Sequence, residues 1–323
     1  MKKYSKLKQL NGLKKVCILT HVNPDNDAVC SSIVLSKFIK SQFNVKNVDI
    51  FADNFEKFSG RKYFDKYVNI CEPKSKYDCV IMMDANESSR LGKYESVFLA
   101  CKNRICIDHH TRKTTPAETY IHELVSSTCE IVYDICAEYG YAFTKADYGM
   151  IYAGLISDTG CFAVGDVDKH AYEIAGECVE HIDQPLIYEK CFSEIKPVVL
   201  DLYAKLIKNK KSYFGGQLIY SIIKKDKTHI FENYSYAINN LQYLQGCKIC
   251  IVVEPIESGY YVHLRAKRGY DVSGIANENG GGGHRGASAF KTQMSARALE
   301  KFLVAELGKQ LTENPVETND IFG

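Results

Sequence analysis

The sequence predicts an α/β fold: a parallel-sheet N-terminal domain with helices on both faces, linked to a smaller mixed-sheet α/β C-terminal domain. Three observations predict it. Short apolar runs alternate with stretches of helical spacing from the start of the chain. Acidic and histidine motifs fall where those runs end. A length of 323 residues suits two domains, each able to bury its own core.

The elements follow in order. KVCILTH (15–21) reads as a buried strand and 27–43 as a helix with an apolar face. VDIFAD (48–53), DCVIMMD (78–84) and NRICIDHH (103–110) are further strand-like runs. TCEIVYDICAEYG (128–140), KADYGMIYAGLISDTG (145–160) and 169–183 have helical spacing. Strands alternating with helices argue for a parallel sheet covered on both faces. Pro185 and Pro197 bracket a weaker segment, which sets the domains at 1–190 and 198–315 with a linker at 191–197. Beyond the linker, 198–214 reads as a helix, and 217–224, 248–267 and 287–292 as strands, the middle one a hairpin around Glu257–Gly259. Helices over 228–244, 272–278 and 295–308 complete this unit, and a polar tail at 316–323 is expected to fray.

Composition narrows the function. Hydrophobic content of 46% and charged content of 25% are those of a soluble globular protein. A net charge of +2 provides no long-range field for gripping long duplex nucleic acid, although a few local cations can hold a small anion. The first residues lack the apolar run and cleavage site of a signal peptide, and no run of about 18 apolar residues marks a membrane span. The thirteen cysteines read as reduced thiols of a cytoplasmic protein. Cys247 and Cys250 form one CxxC without the second pair a zinc site needs, so a buried strand is the better reading.

Four segments place carboxylates or imidazoles at predicted strand ends: HVNPDND (His21, Asp25, Asp27), MMDANE (Asp84), IDHH (Asp108, His109, His110) and LISDTG (Asp158). In doubly wound sheets, ligands bind beyond the carboxyl ends of the strands, so four strand ends on one edge would bring these residues together. One such Asp alone is ordinarily a helix N-cap. Five carboxylates buried near one another are untenable unless cations neutralise them. Oxygen donors with some imidazole suit Mn2+ or Mg2+ better than zinc. In NENGGGGHRGASAF, the glycine run can aim backbone N–H groups at an anion, but by itself it reads first as a flexible loop. Arg265, Lys267 and Arg268 lie upstream of it.

Together these motifs resemble the DHH phosphoesterase superfamily. Its first motif, H-x-x-P-D-x-D-A-x-x-S, matches His21, Pro24, Asp25, Asp27, Ala28 and Ser31 or Ser32, with Asn26 and Cys30 where glycine is usual. The named triplet is Asp108-His109-His110. The DHH-associated domain resembles the second half through Arg265, DVSGIA and Gly281-Gly282-Gly283-His284, with Arg285 where proline is usual. The resemblance implies that His21, Asp25 and Asp84 hold one ion. Asp27, Asp84, His109 and Asp158 would hold a second, with Asp84 shared. The ions would be two Mn2+, with Mg2+ or Co2+ as substitutes. His110 would contact the phosphate and Asp108 orient its neighbours, while Arg265, Gly281, Gly282, Gly283, His284 and Arg285 would bind the far end of the substrate.

A two-domain chain of this kind resembles the oligoribonuclease/pAp phosphatase branch. The expected activity is hydrolysis of short RNA to mononucleotides and of pAp to AMP, with no long duplex or membrane partner; a homodimer is compatible. Linear or cyclic dinucleotides (pApA, cyclic di-AMP) are the alternative substrates. Manganese pyrophosphatase lacks the GGGH signature, so Gly281–His284 counts against it. A catalytically inactive nucleotide-binding protein is the alternative of another class.

Overall fold

Side chains of the first sheet sort by simple alternation. The computed structural model describes residues 3–69, 73, 76–110, 115–163, 166–193, 195–223 and 235–313, and the chain divides into two units, Met1–Glu194 and Ile195–Gly323. The first runs β1 (Lys15–Thr20), α1 (Asn26–Gln42), β2 (Asn47–Phe51), α2 (Arg61–Phe64), β3 (Cys79–Met83), α3 (Glu95–Ala100), β4 (Arg104–Asp108), β5 (Thr119–His122), α4 (Thr128–Glu138), α5 (Lys145–Asp158), α6 (Lys169–Val179) and α7 (Gln184–Tyr188). Val16 and Ile18, Ile81 and Met83, and Ile105 and Ile107 face one side, packed with α1, α4 and α5 residues such as Val29, Ile131 and Leu155. Cys17 and Leu19, Val80 and Met82, and Cys106 face the other, against Tyr94 and Phe98. Both faces are therefore buried, which is why these strands read as continuous apolar runs.

The sheet is parallel throughout, in the order β2-β1-β3-β4-β5. The chain goes outward from β1 to β2, then returns to the other side of β1 as β3. That reversal is a topological switch point, where the loops after β1 and β3 part and leave a crevice for a ligand. β5 was not legible in the sequence: it is a four-residue edge strand whose Tyr120 and His122 are only half-buried.

The second unit runs α8 (Pro197–Asn209), β6 (Lys211–Tyr213), β7 (Leu218–Ile222), α9 (Ser235–Leu241), β8 (Ile249–Ile256), β9 (Gly259–Ala266), α10 (Ser273–Glu278), β10 (Gly282–His284), β11 (Ala287–Thr292) and α11 (Ala296–Glu313). Its mixed sheet has the order β10-β11-β9-β8-β7-β6, in which only β7 and β8 pair in parallel. One face packs on α10 and α11 through Leu264, Ile275 and Leu303, the other on α8 and α9 through Val252, Leu202 and Ile238. Both the parallel and the mixed sheet match the predicted fold class.

Several elements differ from expectation. The helix expected over 198–214 ends at Asn209, and Lys211–Tyr213 turns into the edge strand β6. Pro185 lies in the first turn of α7, and Pro197 opens α8, where its missing N–H costs nothing. Residues 224 and 228–234, and the tail at 316–323, lie outside the described residues. Among the described residues, no helix is long and apolar enough to cross a membrane.

Candidate metal centre

β1, β3 and β4 are neighbours in one parallel sheet, so their carboxyl ends open on the same edge. His21 follows β1, Asp84 follows β3, and Asp108 ends β4 with His109 and His110 next. Asp158 is different: it is the last residue of α5, so three strand ends and one helix terminus meet here, not four strand ends. Asp84 has φ +55°, a left-handed backbone that is costly outside glycine and occurs where the surroundings enforce it.

The side chains gather in two groups. In each, the candidate ligand atoms lie within 4.8 Å of one another: His21, Asp25 and Asp84 in one, Asp27, His109 and Asp158 in the other. His21 Nε2 is 3.4 Å from Asp84 Oδ2 and 3.8 Å from Asp25 Oδ2. His109 Nε2 is 3.1 Å from Asp158 Oδ2 and 3.5 Å from Asp84 Oδ1. Asp84 thus turns one oxygen toward each imidazole. A third cluster joins Asp84, Asp108 and His110, in which His110 Nδ1 donates to Asp108 Oδ1 at 2.8 Å.

Backbone carbonyls set the two imidazoles. His21 Nδ1 lies 3.0 Å from Val22 O, and His109 Nδ1 lies 3.0 Å from Val125 O. A carbonyl only accepts, so each ring carries its proton on Nδ1 and turns Nε2 toward the carboxylates. Metal-ligating histidines are commonly oriented this way.

The acids divide in an unexpected manner. Asp25, not Asp27, caps α1, accepting from Ala28 N at 3.0 Å. Asp27 crosses to α4, where its two oxygens accept Thr128 N at 2.7 Å and Cys129 N at 2.8 Å. These are first-turn donors with no partner inside their own helix. Thr128 also donates its hydroxyl to Asp84 Oδ1 at 2.8 Å. Sequence reasoning missed Thr128, since Ser-Thr before a helical stretch signals only a cap. Gly154 of α5 permits the approach: a Cβ there would lie 2.2 Å from Cys129 Sγ and 2.8 Å from Asp27 Oδ1.

Burial and mutual repulsion pull the acidities apart. Burial, then the charges of Asp84 and Asp158, push the Asp27 carboxyl well above the usual range. Burial raises Asp25 as well, against the opposing pull of His21. Burial acts on Asp84 in the same sense, but the His21 hydrogen bond and the charges of His110 and His109 outweigh it and hold that carboxyl well below normal. For His109, burial disfavours the cation, yet the Asp158 hydrogen bond and the charges of Asp158, Asp84 and Asp27 raise it well above 6.5. Three imidazoles cannot by themselves neutralise Asp25, Asp27, Asp84, Asp108 and Asp158. Oriented Nε2 atoms among carboxylate oxygens fit divalent cations of the Mn2+ or Mg2+ type.

The predicted substrate residues lie in the second unit. Arg265, on β9, donates from Nε to Asn239 Oδ1 and from Nη1 to Leu264 O, both at 2.8 Å. The glycine run is loop only in part: Gly280 lies in a turn and Gly281 outside any strand, but Gly282–His284 form β10, paired antiparallel with β11. A Cβ on Gly281 would lie 2.1 Å from Ala289 O, and one on Gly283, where φ is +134°, 2.4 Å from Ala287 O. Close strand approach therefore requires these two glycines whatever they bind. His284 ends β10, and its carbonyl accepts Ser288 Oγ at 2.7 Å. Arg285 is exposed, with Nε 3.1 Å from Asp271 Oδ2. Cys247 and Cys250 are buried free thiols packed against α8 and α9.

Known proteins resemble this chain over most of its length. The chain is 24% identical to the bifunctional oligoribonuclease and PAP phosphatase NrnA of Thermus thermophilus over 273 residues, covering 83% of this chain and 81% of that protein. It is 24% identical to the protein of the same name from Bacillus subtilis over 296 residues, covering 86% and 90%. Among solved structures, an exopolyphosphatase-related protein from Bacteroides fragilis superposes with a TM-score of 0.80 at 23% identity, covering 95% of this chain and 94% of that one. Residues 15–156 match the DHH family, N-terminal domain, which spans β1 through most of α5 and every strand end of the centre. The match to the DHH family is thus carried by residues 15–156, within the first unit.

Proposed function

We propose that this protein is a cytoplasmic two-metal phosphoesterase that hydrolyses short oligoribonucleotides to mononucleotides and pAp to AMP. The observation that carries the reading is Asp84 facing two donor groups with two different oxygens. The DHH-family match over residues 15–156 supports metal-dependent phosphoester hydrolysis, and relatives named for oligoribonuclease and PAP phosphatase activity support the substrates.

In this reading, His21, Asp25 and Asp84 hold one ion, and Asp27, Asp84, His109 and Asp158 the other. When bound, divalent ions lower the pKa of an attacking water and offset the charge that builds on the phosphoryl group. The protein's own groups set the stage. Backbone carbonyls keep the His21 and His109 rings turned so that Nε2 faces the acids. Asp108 holds the Nδ1 proton of His110, which aims the ring's other edge at a phosphate oxygen. Arg265, Gly281, Gly282, Gly283, His284 and Arg285 are assigned to the substrate's far phosphate, a guanidinium being suited to grip it bidentately.

The test is parallel assay of pAp, a five-mer RNA, pApA, cyclic di-AMP and pyrophosphate, with and without Mn2+. Turnover of pAp and RNA only with metal is expected. Preference for pApA or cyclic di-AMP would replace the substrate assignment, and hydrolysis of none would leave a nucleotide-binding protein.

A further inference from the structure

We infer that Thr128 is a positioning residue that couples the two donor groups, so that filling one prepares the other; the inference rests on the metal reading above. Thr128 is fully buried at the first position of α4. Its N–H goes to Asp27 at 2.7 Å, and its hydroxyl goes at 2.8 Å to Asp84 Oδ1, the oxygen on the His109 side of a carboxylate whose Oδ2 faces His21 in the other group. A threonine here could cap its own helix, but Ser127 does that, accepting from Glu130 N at 3.2 Å. The Thr128 hydroxyl is left for Asp84.

The effect follows from the torsion it controls. The terminal torsion of an aspartate is broad, so the backbone does not decide which oxygen faces which side. A donor fixed on Oδ1 decides it. With Oδ1 tied to Thr128, Oδ2 is the oxygen turned to His21. Thr128 is in turn fixed to Asp27 through backbone atoms of α4, and Gly154 closes α5 against that contact. A shift of Asp27 thus moves the donor that aims Asp84, and the reverse holds by linkage.

Thr128→Val keeps the shape and the N–H and removes only the hydroxyl, whereas Thr128→Ser keeps the hydroxyl. The measurements are calorimetric titration with Mn2+, the electron paramagnetic resonance spectrum at two equivalents of metal, and melting of the metal-free protein. Wild type is expected to bind two ions and show a spin-coupled pair. Thr128→Val is expected to melt near wild type, bind the first ion almost normally, bind the second about 10–100-fold more weakly and lose the coupled signal. Thr128→Ser should restore both. If the valine variant does not fold, Thr128→Ala, which leaves room for a water, takes its place in the same comparison. Two normally bound, spin-coupled ions in a folded variant without the hydroxyl would overturn the coupling alone. Failure of wild type to bind Mn2+ would overturn the metal reading and the coupling with it.

Discussion

Asp108, fully buried at the end of β4, accepts the Nδ1 proton of His110 at 2.8 Å. The contact fixes the ring's tautomer and orientation. Asp108→Asn preserves size but removes the charge. It is expected to lower kcat on pAp by about 10–100-fold, with little change in KM and in Mn2+ affinity. Steady-state kinetics beside a metal titration check this; an unchanged kcat would remove Asp108 from the catalytic account.

Asp84 turns Oδ2 toward His21 and Oδ1 toward His109. Asp84→Ala removes an oxygen from each donor group and the acceptor of Thr128. Turnover is expected to fall below detection and metal stoichiometry to drop below two. Near-full activity would refute the assignment.

Gly154 is a packing constraint on the same centre. An alanine Cβ would meet Cys129 Sγ and Asp27 Oδ1, both held by other contacts. The better helix propensity of alanine offsets at most about 1 kcal/mol, while overpacking costs about 1–3 kcal/mol. Gly154→Ala is expected to lower Tm and, by displacing Asp27, to weaken metal binding. A variant with wild-type Tm and metal affinity would show that α5 can give way.

Asp147 predicts a pH dependence of stability away from the site. Burial would raise its carboxyl, but Lys37 Nζ at 2.7 Å and the Thr144 side chain and N–H outweigh that and hold it below normal. A depressed carboxylate contributes stability that is complete above its unfolded value, near 3.9, and lost as pH falls through the lower folded value. Tm should therefore drop on acidification below about pH 4. Asp147→Asn should cost about 2 kcal/mol at neutral pH and flatten part of that drop. An identical acid limb in the variant would assign it to other carboxylates.

What the sequence revealed follows from physics that is local to it. Strands buried on both faces must be apolar throughout, so β1, β3 and β4 were legible, and the acids at their ends were legible as chemistry. The edge strands β5 and β6 are short and partly exposed, so they carried no such signal. The glycine run reads as a loop because glycine lowers strand propensity, yet its second half enters β10, and close approach of β11 demands glycine at Gly281, just before the strand, and at Gly283 within it. Asp27 and Thr128 meet across 101 positions of sequence, and no local pattern encodes that contact.

The most direct test of the central claim is anomalous scattering at the manganese edge from a crystal soaked in Mn2+. Two peaks are predicted, one held by His21, Asp25 and Asp84, the other by Asp27, Asp84, His109 and Asp158, with Asp84 bound to both. A single peak, or two peaks with Asp84 bound to only one of them, would contradict the account.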